Sequence, residues 1–147
     1  MNTRATEYSL DDLISQFVDY TRREIAAWEA DSTPAVNRNV RQIGQRLDLL
    51  KSTTEGRIAL EDLIYHELPE VRLRAARVVL AWAPDKAIPV LGRLVAEWKP
   101  ANPKKGYIPV AFDAGVSLYE HWGIRSYNRD DLIEPLARYG IELAPRR

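Results

Sequence analysis

Two histidines, three acid pairs and a scatter of hydroxyls are the reactive groups of this sequence, and none is spaced as a reaction centre. His66 and His121 are the only histidines. Neither sits in an HExxH arrangement, and Glu120-His121 are neighbours rather than a helical turn apart, so their side chains diverge from any one ion. Cysteine is absent, which removes thiolate nucleophiles, Cys-based zinc sites and a disulfide framework. No serine lies in a nucleophile elbow. The seven glycines fall at helix caps and helix contacts and form no phosphate cradle. Asp11-Asp12, Glu61-Asp62 and Asp130-Asp131 suit helix N-termini or solvated faces. The expectation is a protein that is not an enzyme and uses no cofactor and no metal.

What remains is chemistry suited to binding. Trp98, Tyr107, Trp122 and Tyr127, near Arg125 and the lysines, have the aromatic-plus-arginine character of protein-binding hot spots. For Trp98 and Trp122 a place in the core is the better reading. The residues expected to meet a partner are Arg74, Arg77, Lys104, Lys105, Tyr107, Arg125 and Tyr127. Arg72 shares a stripe with Ala76, Val79 and Ala83, so its guanidinium is expected half-buried, needing an acidic or carbonyl partner. Asp113 is the acid singled out, with a structural pairing to Arg72 as the favoured reading and a site residue near Tyr107 and Lys105 as the other. A structural Arg72–Asp113 ion pair predicts that Arg72→Ala and Asp113→Ala both lower the melting temperature, non-additively.

Helices must position these residues. From a cap at Ser9, with Asp12 closing a capping box, Leu10, Ile14, Phe17, Val18, Ile25 and Trp28 mark one face of a helix to about Glu29. After Asp31-Ser32-Thr33-Pro34, with Thr33 as cap, Val36, Val40, Ile43, Leu47 and Leu50 form the most regular stripe of the chain. Ser52-Thr53-Thr54-Glu55 reads as a second capping box, opening a helix with Ile58, Leu60, Leu63 and Ile64 inward. Pro69 starts a fourth, whose Val71, Ala75, Val78, Val79 and Trp82 face inward while Arg74 and Arg77 face solvent. Ala83-Pro84-Asp85 breaks it, and Asp85 caps a fifth with Ala87, Ile88, Leu91, Leu94, Val95 and Trp98 inward. An insertion over 99–108 leads to a sixth, Pro109 to Trp122, with small residues Ala111, Ala114 and Gly115 on one side and Gly123 at its end. Asn128 caps a last helix carrying Leu132, Ile133, Leu136 and Tyr139 and closed by Gly140. The tail, 141–147, is expected packed at its start and frayed at its end.

The run Pro69-Glu70-Val71-Arg72 with Ala75, Ala76 and Leu80 is similar to the second helix of a HEAT repeat. With Ala83-Pro84, Pro109, Ala111 and Asp113-Ala114-Gly115, the pattern resembles a family of small bacterial proteins with a HEAT-like fold, whose role is not established. The likeness is best over Pro69 to Gly123 and brings no catalytic residues. It implies an all-α protein, an α/α superhelix of about three antiparallel helix pairs plus a C-terminal helix. The aspartate that HEAT corners often carry three residues before the proline is His66 here, so the usual Asp–Arg ladder is not implied.

Length and composition fit one domain over 1–147, with residues 1–8 frayed. Met1 to Ser9 carries Arg4 and Glu7 without an apolar core, so it does not read as a signal peptide, and no apolar run is long enough to span a membrane. The cytoplasm is the expected location and a monomer the expected state. Formal net charge is zero and the pI near 6.7, which disfavours nucleic acid as partner. Yet residues 71–129 are net basic and residues 1–70 net acidic, leaving a basic set of Arg74, Arg77, Arg93, Lys99, Lys104, Lys105, Arg125 and Arg129 as the alternative, nucleic-acid reading. The favoured expectation is a non-catalytic protein-binding module, with an immunity protein that occupies a bacterial toxin as a more specific form.

Overall fold

The computed structural model describes residues 8–99 and 109–145. The insertion beyond Lys99, with Lys104, Lys105 and Tyr107, lies outside the described residues, as do 1–7 and 146–147. The described residues form helices α1 (Leu10–Glu29), α2 (Thr33–Lys51), α3 (Thr54–Leu63), α4 (Pro69–Val79), α5 (Pro84–Glu97), α6 (Val110–Trp122) and α7 (Ile133–Ala137), with a 3-10 turn over Arg129–Leu132. Among them there is no strand. They group into two compact units, one up to Asp62 and the other from Leu63 to Lys99 and from Pro109 onward.

In the first unit α1 and α2 pack along their length. Ser9 Oγ accepts from Asp12 N at 3.0 Å and the Asp12 carboxylate accepts from Ser9 N at 3.4 Å, the expected capping box. Phe17, Ile43 and Leu50 are fully buried, each such side chain contributing about 1.5–3 kcal/mol. Arg46 of α2 ties the pair at its edge, donating from Nε to Gln16 Oε1 at 3.0 Å. Its guanidinium carbon lies 4.9 Å from the centre of the Tyr20 ring, a cation–π contact of about 0.5–1 kcal/mol. Glycine at position 44 stands mid-helix with open space where a Cβ would lie. Gly44→Ala is therefore expected to raise stability by about 0.5–1 kcal/mol, read as a higher urea midpoint.

Local expectations shift at several points, among them Val40 of the α2 stripe, which is 39% exposed. The α2 cap is Ser32, whose Oγ accepts from Ala35 N, because Thr33 already has helical backbone. Ahead of α3 the working hydroxyl is Thr53 Oγ1, which accepts from Gly56 N at 3.0 Å, while Ser52 donates back to Leu49 O. Gly56 holds the place a box would give to Glu, and Glu55 stands one residue early. Ile58 is 57% exposed. It lies two residues, about 200° of helix, from Leu60 and so points away from the buried stripe.

In the second unit α4, α5 and α6 pack on one another. Val71, Leu73, Ala75, Ala76 and Val79 of α4 are buried, with Ile88, Leu91 and Leu94 of α5 and Ala114 and Leu118 of α6. Pro84 occupies the first turn of α5 behind an Ala83 cap that offers no side chain, so Asp85 lies inside that turn, not at the cap. There its charge still complements the helix dipole. Gly123 ends α6 at φ 67°. The last helix is split: Asn128 caps the 3-10 turn, accepting from Asp130 N at 3.0 Å, and only 133–137 is α-helical. Pro135 supplies no N–H to the helical ladder, which shortens it. The tail then returns to α5, burying Ile141 and Leu143. A Cβ at Gly92 would lie 2.6 Å from Leu136 Cδ2 and 2.7 Å from Ile141 Cδ1, so both side chains sit directly on the α5 backbone.

Candidate binding surface

The corner between α3 and α4 is knit by side chains. His66 Nδ1 accepts from Leu68 N at 3.0 Å, the i to i+2 pattern with which an Asx side chain closes a turn. Arg72 reaches back from the first turns of α4, and its Nη1 donates to the carbonyls of His66 at 2.9 Å and Glu67 at 3.1 Å. Both bonds are charge-assisted. Arg72 thus takes the carbonyl partner open to it, and no ion pair joins it to Asp113 among the described residues. The expected Arg72–Asp113 pair is corrected on that ground: the guanidinium is committed to its own corner, while Asp113 lies half-buried in the first turn of α6. Arg72→Ala is expected to cost about 1–2 kcal/mol and Asp113→Ala less than about 0.5 kcal/mol. The double variant then adds to within about 0.5 kcal/mol. Urea titration of the cycle checks this, and a larger coupling restores the pair.

This fixed corner and the outer face of α5 enclose an open groove of about 840 Å³. Ile64, Val90 and Leu94, all buried, form its floor. Tyr65, Pro69, Pro89 and Trp98 also line it. Tyr65 is 68% exposed, an unusual outlay of aromatic surface on a rigid turn. The rim is charged, with Arg72, Lys86, Arg93 and Lys99 against Asp85 and Glu97. Glu97 is met by Arg93 at 3.8 Å, an exposed i,i+4 pair of little strength.

The expected binding residues fall elsewhere. Arg77 is exposed in the last turn of α4, whereas Arg74 is half-buried rather than on a solvated face, since it lies one turn from buried Val71. Arg125 and Tyr127 are exposed together on the corner after α6. Tyr127 has φ 51°, a conformation costing a non-glycine residue about 1–2 kcal/mol. Its ring edge packs on Tyr119 at 5.2 Å between centroids, and Ser126 Oγ bonds the Asp131 carboxylate beside it. The groove instead gathers residues sequence reasoning scattered or passed over, Tyr65, Lys86 and Pro89 among them. The signal was the i,i+4 row Asp85, Pro89, Arg93, Glu97 on α5, but its facing wall comes from the corner that runs from Ile64 into Arg72.

Among the described residues no group of three or more His, Asp or Glu is placed to hold a metal, and no helix is long and apolar enough to cross a membrane. Fold and surface together define an all-helical domain with an open, apolar-floored groove. The chain belongs to the family described as "Domain of unknown function (DUF2019)", which matches residues 11–121. It is also similar to the crystal structure of the protein RPA1889 from Rhodopseudomonas palustris CGA009, at 28% sequence identity and a TM-score of 0.68, covering 81% of this chain and 93% of that one. No curated protein matches the chain.

Proposed function

We propose that this chain is a non-catalytic protein-binding module of helical-repeat, HEAT-like type. The observation that carries the reading is the groove: buried aliphatic floor, the exposed Tyr65 ring on a hydrogen-bonded corner, and a charged rim. That is the layering of protein-binding surfaces, with apolar anchors inside a polar border. Mutual packing of α4, α5 and α6 supports the repeat-like reading, since short amphipathic helices stacked this way leave an outer helix face for a partner. An immunity role, with a bacterial toxin as the partner, is a specific form of the same proposal. Its test is protection of cells on co-expression.

The rim cations favour one second reading, nucleic-acid binding. Asp85 and Glu97 on the same rim and the aliphatic floor weigh against it, because phosphate contacts call for an uninterrupted basic track. A tagged pulldown at low and moderate salt, read for protein and nucleic acid together, separates the two. A specific protein retained at moderate salt is the expected result. Recovery of nucleic acid alone, lost as salt rises, overturns the proposal.

A further inference from the structure

We infer that the groove along α5 receives an amphipathic helix of about three turns whose apolar stripe is bordered by Asp or Glu. This rests on the protein-binding reading and names the partner's chemistry. Its length follows from the lining, which runs along α5 from Asp85 to Glu97. At 1.5 Å per residue that is about 18 Å of helix.

Its secondary structure follows from the backbone. Within α5 the N–H and C=O groups serve its own ladder, apart from the Asp85 carbonyl, whose i+4 donor would be Pro89, and two of the lining residues, Pro69 and Pro89, carry no N–H at all. An extended segment laid here finds no ladder to join and leaves its own polar groups unmet. A helix brings its hydrogen bonds with it and needs only an apolar stripe to set against Ile64, Val90 and Leu94.

Its charge follows from the rim. Cations outnumber acids there, and both acids are already answered. Glu97 has Arg93 at 3.8 Å, and Asp85 lies in the first turn of α5, at the positive end of the dipole. Arg72 spends its bonds on two carbonyls that leave its charge unneutralised, and Lys99 makes no ion pair among the described residues. Carboxylates bordering the partner's stripe supply that balance and steer its approach.

The test uses the full chain and two labelled synthetic peptides of about 14 residues, roughly 20 Å as helix. Both carry Leu at i, i+3, i+4 and i+7; one is bordered by Glu, its twin by Lys. Fluorescence anisotropy at low salt is expected to show the Glu peptide binding at least tenfold more tightly. Tyr65→Ala and Arg93→Glu, both at exposed positions and so compatible with folding, are each expected to weaken it about tenfold. Arg38→Glu, exposed on α2 and outside the groove lining, leaves it unchanged. Equal affinity for the twins, unchanged binding by the groove variants, or displacement of the Glu peptide by a single-stranded oligonucleotide overturns the inference. The pulldown keeps the two levels apart. If Tyr65→Ala and Arg93→Glu capture the wild-type partner undiminished, the groove assignment fails and the protein-binding reading stands; if the wild type captures none, that reading fails with it.

Discussion

Gly56→Ala is expected to be among the most destabilising single substitutions in the molecule. A Cβ on Gly56 would lie 1.8 Å from the Leu50 carbonyl oxygen, 2.6 Å from its carbon and 2.9 Å from its Cα. These are backbone atoms at the end of α2, so no rotamer change relieves the clash. The start of α3 must move away by more than an ångström. That strains the 3.0 Å bond from Gly56 N to Thr53 Oγ1 and the 2.8 Å bond from Arg57 Nε to Lys51 O. Overpacking against side chains costs about 1–3 kcal/mol; against fixed backbone, with a cap lost as well, about 3–5 kcal/mol is expected. The melting temperature falls by on the order of 10 °C. Gly44→Ala, the same chemical change in open space, is the control and moves the other way. A small loss at position 56 would show that the α2–α3 turn has room to relax.

Ending the chain after Gly140 is the second large effect. It removes Ile141 and Leu143, 5% and 4% exposed, and the Ala144 carbonyl that accepts from Arg129 Nη1 at 2.7 Å. Two buried aliphatic side chains amount to about 3–5 kcal/mol after allowance for a compact unfolded state. That is a large share of the ~5–15 kcal/mol that holds a domain folded. A coupling measurement identifies the mechanism. In the full chain Gly92→Ala collides with Leu136 and Ile141, whereas in the shortened chain only Leu136 opposes it. The substitution is therefore expected to be milder after truncation by at least about 0.5 kcal/mol. Equal costs in both backgrounds, or a truncation loss under about 1 kcal/mol, would mean the tail merely rests on the surface.

Much of this fold is written locally. Ser9 and Asp12, Asn128, Gly123 and Gly140 mark helix ends by chemistry that acts within a few residues, and each appears where its type places it. The α5 stripe Ala87, Ile88, Leu91, Leu94 and Val95 is buried as its period requires, whereas Trp98, expected inward with them, is half-buried past the helix end and lines the groove. Local rules misplace a boundary where two candidates stand side by side, as with Ser32 and Thr33 or Ser52 and Thr53. Features that depend on what arrives from elsewhere are harder to read. Nothing around Gly56 in sequence says that a carbonyl lies 1.8 Å from its missing Cβ, and nothing around Gly92 announces Ile141. The groove is illegible for the same reason: Tyr65 looks like an ordinary polar-corner aromatic until α5 is set opposite it. Arg72 lies between these cases, since its half-burial was readable from its stripe and its choice of carbonyl over carboxylate was not.

The cover that Ile141 places over α5, with Leu143 buried just beyond it, also has a temporal side. Translation at about 5–20 residues per second delivers them several seconds after Gly92 has emerged. Until then a nascent α5 displays bare aliphatic flesh along the track its own tail will cover. The α1–α2 hairpin, contiguous and self-sufficient in its pairing, has no such wait. A growing polypeptide of this sequence therefore leaves that stretch of α5 uncovered until residue 141 has emerged.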